Sequence, residues 1–142
     1  MPAINLIVDK TRNAIDNGDI YIAVLRLAAD LEFLFHNLLF YNANIKSTLM
    51  KNWTLGRYTK WVTELKLIPN AIVPKLNSFR KLRNAIVHHR YYADRVSQNK
   101  NELQRAKKLL IDICNFVEKT EIKISHQNPG NESMSSSDDP KW

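Results

Sequence analysis

The chain has 142 residues, 44% of them apolar and 25% charged, which is the balance of one soluble globular domain with enough length to bury a core. Apolar runs are broken before they reach the roughly 18 residues of a membrane span, and the N-terminal MPAINLIVDK lacks the basic-then-apolar order of a secretory signal, so a cytoplasmic protein is expected. The net charge of +7 is concentrated centrally, +4 over 46–74 and +5 over 75–95, whereas 1–45 and 125–142 each carry −2; a polyanionic partner such as RNA fits that block, as does a solvated surface.

Only three glycines occur, no Asn-Gly or Asp-Gly lies between alternating apolar runs, and helical periodicity dominates. A first helix is expected over about 3–17, with Ile4, Ile7, Val8, Thr11, Ala14 and Ile15 on one face and Asn17-Gly18 as its stop. Asp19 is placed to cap a second helix over about 20–42. That helix is apolar on most sides and should be the central one. A third is expected over about 53–66, carrying Trp53, Tyr58, Trp61, Val62 and Leu65. The spacing of Trp53 and Trp61, about two turns, favours one packed face. A fourth helix should start near Pro74 and run to about Tyr92. A fifth covers about 99–121, with Leu103, Ala106, Leu110, Ile113, Cys114 and Val117 as its stripe. From about Ser125 the composition turns to Ser, Asn, Pro, Gly and Asp, so 125–142 reads as a flexible tail. The expected fold is all-α: a compact up-and-down bundle of about five helices over 1–124, followed by that tail.

A single cysteine, Cys114, excludes an internal disulfide and a cysteine-based zinc site. No metal-ligand, phosphate-loop or serine-nucleophile motif is present. The informative stretch is Phe79–Tyr92, FRKLRNAIVHHRYY. On a helical wheel, Leu76, Phe79, Leu82 and Ile86 form the core face, while Arg80, Asn84, His88 and Tyr91 make a polar seam. Arg83 falls among the core-facing residues, where its guanidinium must snorkel, pair, or enter a cleft.

Arg83-Asn84-x-x-x-His88 resembles the R-N-x-x-x-H signature of the HEPN superfamily, in its general form R-x(4–6)-H. Its position late in the chain, before one more long helix, is similar as well, and AVLRLAADLEFLFHNLLF looks like that family's second helix, an acidic residue among apolar ones. The resemblance spans about residues 3–121. It implies metal-independent RNA cleavage, without a cofactor, by a homodimer in which two copies of the motif line one cleft. It further suggests a toxin–antitoxin or anti-phage defence setting, with a nucleotidyltransferase-type or other antitoxin protein as a further partner.

The residue chemistry agrees with that implication. RNA supplies its own nucleophile, the 2′-hydroxyl, and an imidazole exchanges that proton near neutral pH. A guanidinium stabilises the charge that builds on phosphorus. His88 is then the general acid or base, Arg83 the phosphate and transition-state clamp, and Asn84 the group that orients the imidazole or a phosphate oxygen. His89 also satisfies the looser spacing. Only from His89 does a tyrosine, Tyr91, follow two positions on, as in the branch of the family paired with nucleotidyltransferases; after His88 that position is Arg90. Arg80, Lys81 and Arg90 are candidates for RNA-backbone contacts or simply solvated charges. Tyr91 and Tyr92 are candidates for stacking on bases or for packing. Glu32 and Asp30 are candidates to brace Arg83; equally, Asp30 can pair with Arg26 and Glu32 with His36 along the helix. The alternative function is a non-catalytic helical module of the same type that binds RNA or a protein.

Overall fold

In the computed structural model the backbone is described for residues 2–89 and 91–138, and side chains for 8–89 and 91–120. The described residues form six α-helices: α1 Pro2–Asp16, α2 Ile20–Ala43, α3 Leu55–Glu64, α4 Val73–His88, α5 Tyr92–Gln98 and α6 Lys100–Asp138, with a 3-10 turn Asn70–Ile72 leading into α4. The fold is the expected all-α bundle. Among the described residues no helix is long and apolar enough to cross a membrane.

The punctuation follows the sequence. Gly18 adopts φ +76°, a left-handed conformation that favours glycine, and lets Asp19 N–H reach back to the Ala14 carbonyl at 2.9 Å. Asp19 then caps α2, its carboxylate accepting from Ile22 N–H at 3.3 Å. Asn44 ends α2 in the left-handed region, φ 57°. Thr54 caps α3 through Arg57 N–H at 3.4 Å. Pro74 occupies the first turn of α4, where a missing N–H costs nothing.

Helix α2 is the centre of the bundle and packs against each of the five other helices. Ile20, Val24, Leu27, Leu31, Leu34, Phe35 and Leu39 are fully buried, and Phe35 meets Phe116 of α6 with ring centroids 6.4 Å apart. Val8, Ala14 and Ile15 of α1 are buried as expected; Ile4 and Ile7 have side chains outside the described residues. The α6 stripe closes the other side through Ala106, Leu110, Ile113, Cys114 and Val117. Burial pushes the Cys114 thiol up to about 12, so it packs as an inert apolar group.

One expectation is corrected. The fourth helix does not continue to Tyr92: α4 stops at His88, His89 is extended (φ −125°, ψ 102°), and a separate helix α5 follows. No glycine or proline marks this break. It forms because α5 buries Ala93 and Val96 against α6 and α2, which an uninterrupted α4 would carry away from the core. The broken ladder is repaired locally by His89 N–H to the Ala85 carbonyl (2.9 Å) and Tyr92 N–H to the His89 carbonyl (3.0 Å). Asn99 then caps α6, its side-chain oxygen accepting from Glu102 N–H at 3.1 Å. The backbone of α6 runs to Asp138, past the end expected near residue 121 and into the stretch expected as a tail; side chains beyond Thr120, and residues 139–142 altogether, lie outside the described residues.

Candidate functional site

Helix α4 carries the motif, and the break after it decides where the motif's parts go. Arg80, Arg83 and Asn84 precede the break, His88 is the last helical residue, and His89 is the extended residue that turns the chain. Tyr91 and Tyr92 then start α5. The result is an open groove of about 620 Å³ lined, among the described residues, by His88, His89, Tyr91, Tyr92 and Arg95. Both histidines are exposed. Tyr91 is 64% exposed, whereas Tyr92 packs partly against the core. The Arg95 guanidinium lies over the Tyr92 ring, 5.7 Å from its centroid. Arg90 lies outside the described residues.

Neither Arg83 nor Asn84 lines this groove. Arg83 is half-buried, its Nε is enclosed without a hydrogen-bond partner, and its Nη1 donates to Asn84 Oδ1 over a long 3.4 Å. Its charge is faced by Glu32 of α2. Burial raises the Glu32 carboxyl above its ordinary range, and the Arg83 guanidinium pulls it back down.

Behind Glu32 lies a hydrogen-bonded chain. Tyr58 donates its hydroxyl to the Met50 carbonyl at 3.3 Å, so His36 Nδ1, 3.2 Å from the same oxygen, is the donor to it. His36 Nε2 is then free to accept from Ser47 Oγ at 3.0 Å. This is the wiring of a neutral imidazole, in keeping with burial that lowers the His36 pKa. His36 therefore pairs with Ser47 and Tyr58 rather than with Glu32.

The two acids of α2 point to different surroundings. Asp30 is only 2% exposed, its Oδ2 accepts from Thr11 Oγ1 at 3.0 Å, and the charge acting on it is that of Arg26. It belongs to the packing of α1 on α2, and Glu32 is the acid on which the charge of Arg83 acts. Of the other cations on α4, Lys81 is exposed and Arg80 is half-buried against α3, where a Cβ on Gly56 would stand 2.8 Å from Arg80 Nη2. Among the described residues no group of three histidine, cysteine or carboxylate side chains is placed to hold a metal ion.

The sequence pattern had gathered His88, His89, Tyr91 and Tyr92 into the region of interest; Arg95 was missed. It sits in what reads as a loop between two helices, and the one available signal was its spacing of three from Tyr92, one turn if that stretch is helical.

Fold and groove together define an all-α bundle with an exposed pair of histidines beside aromatic rings and a guanidinium. No family model matches the chain, and no curated protein or solved structure matches it either.

Proposed function

We propose that the chain is a metal-independent endoribonuclease of HEPN type, working as a homodimer in a toxin–antitoxin or defence setting. The observation that carries this reading is the groove itself: an exposed imidazole at the end of α4, with aromatic rings and a cation around it, on the basic part of the chain. His88 exchanges the 2′-hydroxyl proton, Tyr91 offers a face for a base, and the surrounding positive charge draws the phosphate backbone in. Cleavage by the 2′-oxygen forms a new P–O2′ bond and breaks P–O5′. It leaves a cyclic phosphate, or the 3′-phosphate from its hydrolysis, and a 5′-hydroxyl.

Dimerisation is supported by an uncovered stripe on α2. Ile22, Leu25 and Phe33 are each at least 36% exposed, and they fall within about 80° of one another around the helix. Glu32 beside Phe33 faces Arg83, and Val87, one turn beyond Arg83 on α4, is 50% exposed. A second copy seated on this stripe draws two α4 helices together.

One feature favours the alternative, a non-catalytic module binding RNA or protein: within a single chain, the arginine of the motif and its histidine do not share the groove. Incubation of total RNA in EDTA with wild type, His88→Ala and His89→Ala separates the readings. Cleavage that the folded His88 variant loses and the His89 variant keeps supports the nuclease with His88 as its proton carrier. Binding of RNA without cleavage by a folded wild type supports the module.

A further inference from the structure

The geometry points to Arg95, rather than the arginine of the sequence motif, as the side chain that holds the RNA phosphate in the histidine groove. This rests on the ribonuclease reading above. Three observations carry it.

The first is position. Arg95 lines the groove together with His88 and His89, and Arg83 does not. A phosphate near a proton-transferring imidazole needs a cation on the same wall.

The second is availability. Among the described residues Arg95 has no carboxylate within 4.0 Å, and its side chain is exposed. Arg83 has no carboxylate within that distance either, but the charge of Glu32 acts on it, its side chain is half-buried and its Nε is enclosed. A half-buried arginine with an enclosed Nε cannot turn its full donor edge to a phosphate, whereas an exposed one offers its bidentate edge directly.

The third is preorganisation. The guanidinium rests over the Tyr92 ring, and that ring is partly packed on the core. Stacking restricts the long side chain while leaving its in-plane donors open, so less entropy is lost when phosphate binds. In this arrangement Tyr92 is a positioning residue for Arg95.

The test uses a 2′-O-methyl RNA oligonucleotide, which binds but cannot be cleaved, with affinity read by fluorescence anisotropy at several salt concentrations. Arg95→Ala is expected to weaken binding about tenfold at low salt and to lower the slope of log K against log salt by roughly one, the signature of one lost phosphate contact. Tyr92→Leu keeps the charge but removes its platform, and should raise Kd about threefold with the slope unchanged. Arg83→Ala should lower the melting temperature and leave the slope intact. Circular dichroism establishes that each variant is folded, and Arg95→Lys, which keeps a point charge, should restore the slope. An Arg95→Ala variant with wild-type affinity and slope overturns the assignment while leaving the nuclease reading standing. A folded wild type that binds no RNA removes that reading, and the assignment with it.

Discussion

Asp30 makes the stability of this bundle depend on pH in a direction opposite to that of an ordinary surface carboxylate. Its carboxyl is almost fully enclosed between α1 and α2, Oδ2 accepts one hydrogen bond from Thr11, and Oδ1 has no hydrogen-bond partner. Desolvation raises its pKa from 3.8 to about 6, against the opposing pull of Thr11 and Arg26. Because the folded value lies above the unfolded one, the folded chain binds this proton more tightly. Stability from this group is greatest below about pH 4, declines as pH rises to about 6, and is level beyond. At 1.36 kcal/mol for each tenfold difference in proton affinity, the ionised carboxylate costs the fold about 3 kcal/mol at pH 7. Asp30→Asn keeps the oxygen that Thr11 donates to and removes the titration. It also places an amide donor where Oδ1 stood, a pH-independent cost of about 1–3 kcal/mol. The informative quantity is therefore the change with pH. Urea unfolding followed by far-ultraviolet circular dichroism at pH 4, 5, 6, 7 and 8 gives the stability of each protein. The Asn variant should gain about 2 kcal/mol on wild type between pH 4 and 7, whatever its offset. The titrations of Glu32 and His36 cancel in that difference. A difference that stays flat across the range would refute the burial argument.

Three further substitutions test the packing. Gly18→Ala meets no atom within 4 Å but imposes a Cβ at φ +76°, so it should cost about 1 kcal/mol in urea unfolding, all of it backbone strain. Phe35→Ala empties a fully buried site beside Phe116 and should cost about 3–5 kcal/mol by the same assay. Asn99→Ala removes the cap of α6 and should cost about 1 kcal/mol, with amide exchange accelerating first at Glu102.

The helices themselves were legible because their apolar stripes and caps agree: Asn17-Gly18-Asp19 ends one helix and starts the next through side chains that need no tertiary contact. The break after His88 was not legible, since nothing local disfavours helix there; it is imposed by the burial of Ala93 and Val96. That one break carried the site with it. It turned an expected seam of Arg80, Asn84, His88 and Tyr91 into a groove without the first two, and it brought in Arg95 from beyond the expected helix. The choice between Asp30 and Glu32 was half legible. Residues two apart on a helix point about 200° from each other, so at most one of them can face α4. Which one does depends on how α1, α4 and α6 are arranged around α2, and only tertiary packing fixes that.

The stripe on α2 bears most directly on how such a site would be completed. A phenylalanine exposes on the order of 200 Å² when free, so the 41% still open on Phe33 amounts to about 80 Å². Covering it contributes about 2 kcal/mol per copy, or about 4 kcal/mol in a twofold dimer where the residue counts twice. Phe33→Glu replaces that gain with a carboxylate beside Glu32 at the interface, and should weaken self-association by at least a thousandfold while leaving the circular dichroism of the chain unchanged. Light scattering behind gel filtration reads this directly as dimer for wild type and monomer for the variant at the same micromolar loading. A wild type that runs as a monomer at every concentration would refute the dimer, and so would a Phe33→Glu variant that remains dimeric. Loss of cleavage in a folded, monomeric Phe33→Glu protein with His88 and Arg95 intact would then mean that one groove alone is not enough, and that the second copy supplies part of the chemistry.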